Sequence, residues 1–543
     1  MNLDLVLQEI DKRVFSKTNR HLKEVESIVL QGAWQGKTYE QMEETCQYSL
    51  SYLKQAAGPR LWKLLSEVLQ ENIGKTNFRV VLERQWDRQN FPIEPNRASF
   101  SPQNETVQKP DWGEAPEVNV LYGRDRELES LKEWILQNRC RLVTVFGMAG
   151  IGKTALAIYF AQENQVQFDK VIWRSLHYAS GAAELVSNLL QFFEPQTTQV
   201  DLNLDRQISV LLEHLRQNRC LIVLDTAAEI WQRGDLAGHY RQQYKGYGEL
   251  VRRLGTESHQ SCLLLCTREK PREVARLEGE KVPVHSLHLT GLSSQAELIF
   301  EEKQLSDPKK WNELIELYRG NPLALKIVAT TIQELFGGSV ATFLQQDTIV
   351  YGDIYDLLDE QFEYLSVLER EILNWLAIAF KPLSLVQLRE NILLPIEMAE
   401  LIEALESLIR RSLIIRMQVK GKTVFSSHQP IVGQYAISRL IDNIYEEIES
   451  VNEVQDTERI EFLRNYALVT QDAKIDKYQQ AQIVIPLKNK LYRIFRDEKA
   501  IETCLQAILR SLRGKSPLSV GYTKHNIEIL LENLRSDLIN ASR

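Results

Sequence analysis

The sequence predicts a multidomain α/β plus α chain. A P-loop parallel αβα sheet domain is expected with helical and winged-helix lobes, an N-terminal winged helix-turn-helix and a C-terminal helical region. Three observations carry this expectation. The stretch RLVTVFGMAGIGKT, Arg141 to Thr154, runs from a β-rich apolar strand through a glycine-rich turn into the helical pattern ALAIYFAQE, the order in which a strand feeds a phosphate-binding loop. Two more apolar runs, CLIVLD ending at Asp225 and SCLLLC leading to Thr267 and Arg268, read as buried strands of the same sheet. On either side of this centre the apolar residues recur at helical spacing instead.

The elements follow in order. Residues 1–90 read as a helix-turn-helix effector or interaction domain. Asn19–Gln35 carries a stripe of Val25, Ile28 and Val29, and Thr38 with Gln41 forms a capping box for the next segment. A turn near Cys46–Ser49 and a hairpin around Gly74, between Ile73 and Phe78, suggest a winged version. The proline-punctuated Gln89–Asn119 reads as an extended linker, set at 91–117, ahead of a P-loop nucleotide-binding domain at 118–290. KVIWRS, Lys170–Ser175, is a further strand of that domain. A helical lobe (291–350) follows, in which Gly320–Asn321–Pro322 ends one helix and starts another. A winged-helix lobe (351–445) follows, with LEREILNWLAIA and EMAELIEALESLIRRS as amphipathic helices and LIIRMQV–KGK–TVFSS as a hairpin with a glycine turn. Residues 446–543 are helical by pattern, with a break at Lys515–Ser516–Pro517 and no internal repeat.

Composition narrows the classes. A length of 543 residues predicts three or four domains, and 44% apolar with 25% charged residues is ordinary for globular chains. The net charge of −8 argues against a chain-wide nucleic-acid surface. Residues 1–91 hold thirteen Lys and Arg against twelve Asp and Glu, so Lys54, Arg60 and Lys63 stand opposite Glu40, Glu43 and Glu44 without a basic footprint. A protein partner is the favoured reading of this segment and DNA the weaker one. The six cysteines are scattered. Cys262 and Cys266 fall on one face of a single strand, which is no zinc knuckle, and buried thiols in a reducing compartment are expected. The acidic N-terminus lacks the features of a signal peptide, and no run reaches the ~20 apolar residues of a membrane span, so the cytoplasm is the expected location.

Each candidate residue has a chemical reason. In GxxxxGKT, Gly147, Gly150, Ile151, Gly152 and Ala155 supply the backbone of a loop whose N–H groups turn toward phosphate at a helix N-terminus. Lys153 would reach the β- and γ-phosphates of ATP, and the Thr154 hydroxyl would ligate Mg²⁺. Asp225, at the carboxyl end of its strand, is the expected second Mg²⁺ holder. Thr226 and Ala227 follow where a second acid would activate water, and Glu229 is a distant substitute. Slow hydrolysis is therefore expected.

Two resemblances add to this reading. LQGAWQGKTYEQMEE, YSLSYLKQAAGPRLWKLLSEVL and KTNFRVVLER resemble the vWA-MoxR-associated N-terminal helix-turn-helix domain, which precedes signalling ATPase modules in cyanobacterial proteins; Gln47 stands where a turn glycine is usual. LYGR, GMAGIGKT, LIVLD, CTRE and GNPLAL, in that order, resemble the NB-ARC family of signal-transduction (STAND) ATPases. That resemblance implies adenine contact by Tyr122, ordering of the nucleotide by Arg124, γ-phosphate sensing by Arg268 and packing of Pro322 on adenine. It also implies a phosphate-contacting histidine in FSSHQP, at His428 or, with a one-residue shift, Gln429. The family holds ADP in a closed state and self-oligomerises with ATP. A DNA-binding regulator gated by the same module and a rapid housekeeping ATPase are the alternatives. SVGYTKHNIEILLENLRSD, Ser519–Asp537, resembles a segment that leads into WD repeats in related proteins, and no repeats follow it here.

Overall fold

The computed structural model describes residues 29–33, 42, 58–69 and 110–541, except 119, 178, 194–202, 280, 347–348, 428–429, 455–459, 471 and 473–474. The chain divides into two units, Met1–Glu105 and Thr106–Arg543. In the first, residues 29–33 are helical and a helix spans Gly58–Leu69. Leu61, Trp62 and Leu65, at helical spacing, are buried, as are Val29, Leu30 and Met42. The Thr38–Gln41 capping box, the Cys46–Ser49 turn and the Gly74 hairpin lie outside the described residues.

The second unit is organised on a five-stranded parallel sheet. Its strands are β1 (Leu142–Phe146), β2 (Lys170–Ser175), β3 (Cys220–Asp225), β4 (Cys262–Thr267) and β5 (Val284–His288), in the order β2-β3-β4-β1-β5. Every residue of β1, β3 and β4 is buried, which explains their unbroken apolar runs, because a parallel sheet is covered on both faces. Alternation still sorts the side chains: Cys262, Leu264 and Cys266 join one core layer, and Leu263 and Leu265 the other. The strand β5 escaped the sequence reading because VHSLH is half polar and only partly buried at the sheet edge. The opposite edge corrects the linker. Residues 110–117, expected to be extended linker, dock here: Asp111 pairs with Ile172 of β2, and its carboxylate bridges Arg174 at 2.7 Å.

The helical and winged-helix lobes follow. Helix α1 (Lys153–Asn164) leaves the glycine-rich loop after β1. Helix α2 (Pro322–Leu335) begins at the GNP break, with Asn321 as its N-cap and Pro322 in its first turn. The helices of the winged lobe include α3 (Asp353–Phe362), α4 (Val367–Ala379) and α5 (Met398–Arg410), with a shorter one at Leu385–Asn391. Ser366 and Glu369 close a capping box at the start of α4. The expected hairpin is β7 (Ile414–Val419) with β8 (Lys422–Ser427), and the two-residue β6 (Leu383–Ser384) completes a three-stranded sheet. Lys420 and Gly421 turn the hairpin with φ of +50° and +76°, the pair of positive values that matches strand twist.

Helix α6 (Pro430–Val454) runs through residue 445, where a domain boundary was expected. One hydrophobic core extends from Leu292 in the helical lobe, through Trp375 and Tyr435, to Leu534 in the C-terminal helices. Among the described residues no helix is long and apolar enough to cross a membrane.

Candidate nucleotide site

The glycine-rich loop is shaped by what surrounds it. A Cβ on Gly147 would lie 2.5 Å from the carbonyl oxygen of Leu289. Gly150, at φ +73°, would meet the Leu323 side chain at 2.6 Å. Those residues must be glycine because the loop is pressed between β5 and the start of α2. Ile151 is buried, Gly152 caps α1 in the left-handed region, and Ala155 lies in the first helical turn. The N–H groups of that turn face outward for an anion.

Lys153 is partly buried, and its ammonium donates to the carbonyls of Gly147 (2.9 Å) and Met148 (2.8 Å). Burial, then the charge of Arg268, draws its pKa down to about 8. The Thr154 hydroxyl lies 3.0 Å from each carboxylate oxygen of Asp225, across β4, which separates β1 from β3. Burial raises the Asp225 carboxyl above its ordinary range, and bonds from Thr154 and Thr226 pull the other way. Thr226 adopts φ +56°, rare for a β-branched residue, and points its hydroxyl back at Asp225 (3.1 Å). This strain next to a functional acid left no mark in the sequence pattern. Glu229 pairs with Arg241 (3.3 Å) and Arg233 (3.6 Å), so cationic partners already claim this carboxylate.

Two further segments meet the loop. Arg124 is 3% exposed and donates to the carbonyl of Ile151 and to Glu127, both at 2.9 Å. It braces the loop backbone. Tyr122 donates its hydroxyl to Glu302, and the Lys326 ammonium sits 5.2 Å from its ring centre. That bond to a carboxylate pushes its pKa up to about 12. Asn321, fully buried, donates to the carbonyl of Ala149 (2.9 Å) and caps Leu323 and Ala324, and the Leu323 amide donates to the carbonyl of Gly150 at 3.3 Å. His428 and Gln429 lie outside the described residues.

Arg268 leaves the end of β4 beside the loop, where it forms an ion pair with Glu360 of α3 at 2.5 Å. Around it lies a seam between the sheet domain and the winged lobe. Arg411 (4% exposed) pairs with Glu269 at 2.9 Å and Glu369 at 3.2 Å, both buried. Ser407 donates to Glu369 (2.6 Å) and accepts from the Ala237 amide (2.6 Å), and the Ser412 hydroxyl meets His288 at 2.7 Å. None of these seam residues was a candidate in the sequence, because buried charges 42 and 142 positions apart have no local signature.

The donor set suits its expected ligands. Hydroxyl and carboxylate oxygens lie together at Thr154 and Asp225, which fits Mg²⁺, a cation that takes one or two protein oxygens and completes its shell with phosphate and water. Among the described residues no group of three His, Cys, Asp or Glu could hold a metal by itself. A glycine loop on a helix N-terminus, a lysine in its bend and a strand-end aspartate together define a P-loop nucleotide-binding domain.

Residues 124–281 match the NB-ARC domain family, and residues 1–85 match the vWA-MoxR associated protein N-terminal HTH family. It is 40% identical over 477 residues to an uncharacterized WD repeat-containing protein of Nostoc sp., a match covering 79% of this chain and 37% of that protein. It is 25% identical over 275 residues to the disease resistance-like protein DSC1 of Arabidopsis thaliana, covering 48% of this chain and 21% of that one. The chain thus spans well under half the length of either relative. Among solved structures, the ORC2 protein of Aeropyrum pernix in ADPNP–ADP complexes aligns at 17% identity and a TM-score of 0.36, over 60% of this chain and 96% of that one. Cdc6p of Pyrobaculum aerophilum aligns at 15% identity and a TM-score of 0.30, over 60% and 97%.

Proposed function

We propose that this chain is an ADP/ATP switch of the NB-ARC type, hydrolysing ATP slowly and passing the state of its nucleotide to the N-terminal helix-turn-helix domain. The observation that carries the proposal is the meeting of separate segments at one site: Arg124 on Ile151 and Asn321 on Ala149 close on the loop, and Glu360 pairs with Arg268 at the end of β4 beside it. A site walled by different lobes changes their relation when its ligand changes, which a rigid hydrolase does not need. In this reading Lys153 and Arg268 engage the phosphates, Thr154 and Asp225 hold Mg²⁺, and Tyr122, Pro322 and His428 complete the nucleotide's surroundings. A protein partner is the proposed output of the N-terminal domain, and self-association the proposed consequence of the ATP state. Balanced charge in residues 1–91 places DNA second.

Turnover follows from the same geometry. Asp225 can hold the cation, but Thr226 points back at it and Glu229 is taken by arginines, so neither of these two residues is placed to take a proton from water. The rate should lie well below the ~10 s⁻¹ median of enzymes. Two measurements test the proposal: the nucleotide released on denaturing the purified protein, expected to be ADP, and single-turnover hydrolysis of ATP. Turnover at the enzyme median without any partner would replace the switch by a housekeeping ATPase.

A further inference from the structure

Arg268 has two sides. One guanidinium nitrogen holds Glu360, while Nη1 is buried and has no hydrogen-bond partner among the described residues. Glu360 comes from the winged lobe, on the same helix as Ile354 and Leu358, which are sunk in the lobe's core. Its own side chain is 44% exposed, so packing does not demand it. Its charge also reaches the ammonium of Lys153, alongside those of Arg268 and Asp225. Two carboxylates therefore influence the phosphate loop: Asp225, which belongs to the sheet, and Glu360, which belongs to the winged lobe.

We propose that Glu360 sets the preference between di- and triphosphate by pairing with Arg268 as a counter-charge with which a γ-phosphate must compete; this rests on the site being an ADP/ATP site. With a diphosphate bound, Arg268 keeps its carboxylate and nothing is lost. A triphosphate imposes two costs: its γ-phosphate must share the Arg268 charge with Glu360, and the nearby carboxylate faces a phosphate of like charge. Both costs fall on the triphosphate alone. Glu360 thereby acts through Arg268 as a specificity-determining residue.

The test uses the full chain, stripped of nucleotide, with Mg²⁺, ADP and a non-hydrolysable ATP analogue in competition titrations. Glu360→Gln keeps the shape and removes the charge; Glu360→Ala removes both. For a half-exposed pair, each substitution should shift the ratio of affinities toward the analogue by roughly three- to tenfold, with ADP affinity held within about twofold. Glu363→Gln, on the same helix but paired with the exposed Arg233 at 2.7 Å, should leave the ratio unchanged. If wild type and both Glu360 variants bind the two nucleotides with one ratio, the proposal is overturned while the site reading stands. Equal tightening of both nucleotides also overturns it, because Glu360 then acts as a general repulsive charge. A folded wild type that binds neither nucleotide overturns the site reading itself.

Discussion

Lys153 owes its lowered pKa of about 8 first to burial and then to Arg268, and both causes oppose the charge that phosphate requires. In the free protein the ammonium is therefore lost as pH rises through 8, whereas a bound nucleotide would hold the proton on. The sign follows: binding takes up no proton well below 8 and up to one above it. Affinity should be flat on the acid side and fall toward about tenfold per pH unit on the alkaline side. Calorimetry in two buffers of different ionisation enthalpy measures the uptake directly, and affinity independent of pH up to about 9.5 would refute this role. Lys153→Ala should abolish triphosphate binding and leave far-UV ellipticity as in the wild type. The lysine itself was legible in the sequence, since glycine spacing is local. Its altered acidity was not, because Arg268 is brought near it only by the insertion of β4 beside β1.

At the scale of elements, the short break Gly320–Asn321–Pro322 joins the helical lobe to the phosphate loop. Asn321 satisfies two debts of the backbone at once, the first N–H groups of α2 and the carbonyl of Ala149. Asn321→Ala leaves that carbonyl buried and removes the cap, a combined cost of about 2–4 kcal/mol. Thermal melting should fall accordingly, and retained nucleotide should be lost at temperatures where the variant is still folded. A variant that melts and retains nucleotide as the wild type does would show that the contact is incidental. The helices and the hairpin of the winged lobe could be read from LEREILNWLAIA and from the Lys420–Gly421 turn because periodicity and turn chemistry act over a few residues. The strand β5 and the docked Asp111 could not, since each owes its structure to a distant sheet edge.

Within the second unit the sheet domain and the winged lobe meet along the seam at Arg411. One guanidinium there pairs with two buried carboxylates, Glu269 and Glu369. Arg411→Met leaves them uncompensated, which typically costs 3–5 kcal/mol. Burial already raises the Glu269 carboxyl above its ordinary range, with the Arg411 charge opposing that rise. A raised carboxyl favours the folded state at acid pH and loses that contribution as pH rises through the folded-state value. Without Arg411 the value rises further, so the melting deficit of the variant should be smaller at pH 5 than at pH 7. Limited proteolysis in parallel should report faster cleavage between the lobes at pH 7. Equal deficits at both pH values would mean that Arg411 acts through packing alone.

Helix α6 couples this seam to the far end of the chain. Its 25 residues make a rod of about 37 Å at 1.5 Å per residue. It starts directly after β8 and ends among the C-terminal helices. A rod clamped at one end amplifies rotation: a tilt of about 20° at the winged lobe would carry its other end roughly 13 Å sideways, by the same rise per residue. Whatever the C-terminal helices carry would then ride on a lever arm, and force applied there would act on Glu360 and Arg411 with the advantage reversed.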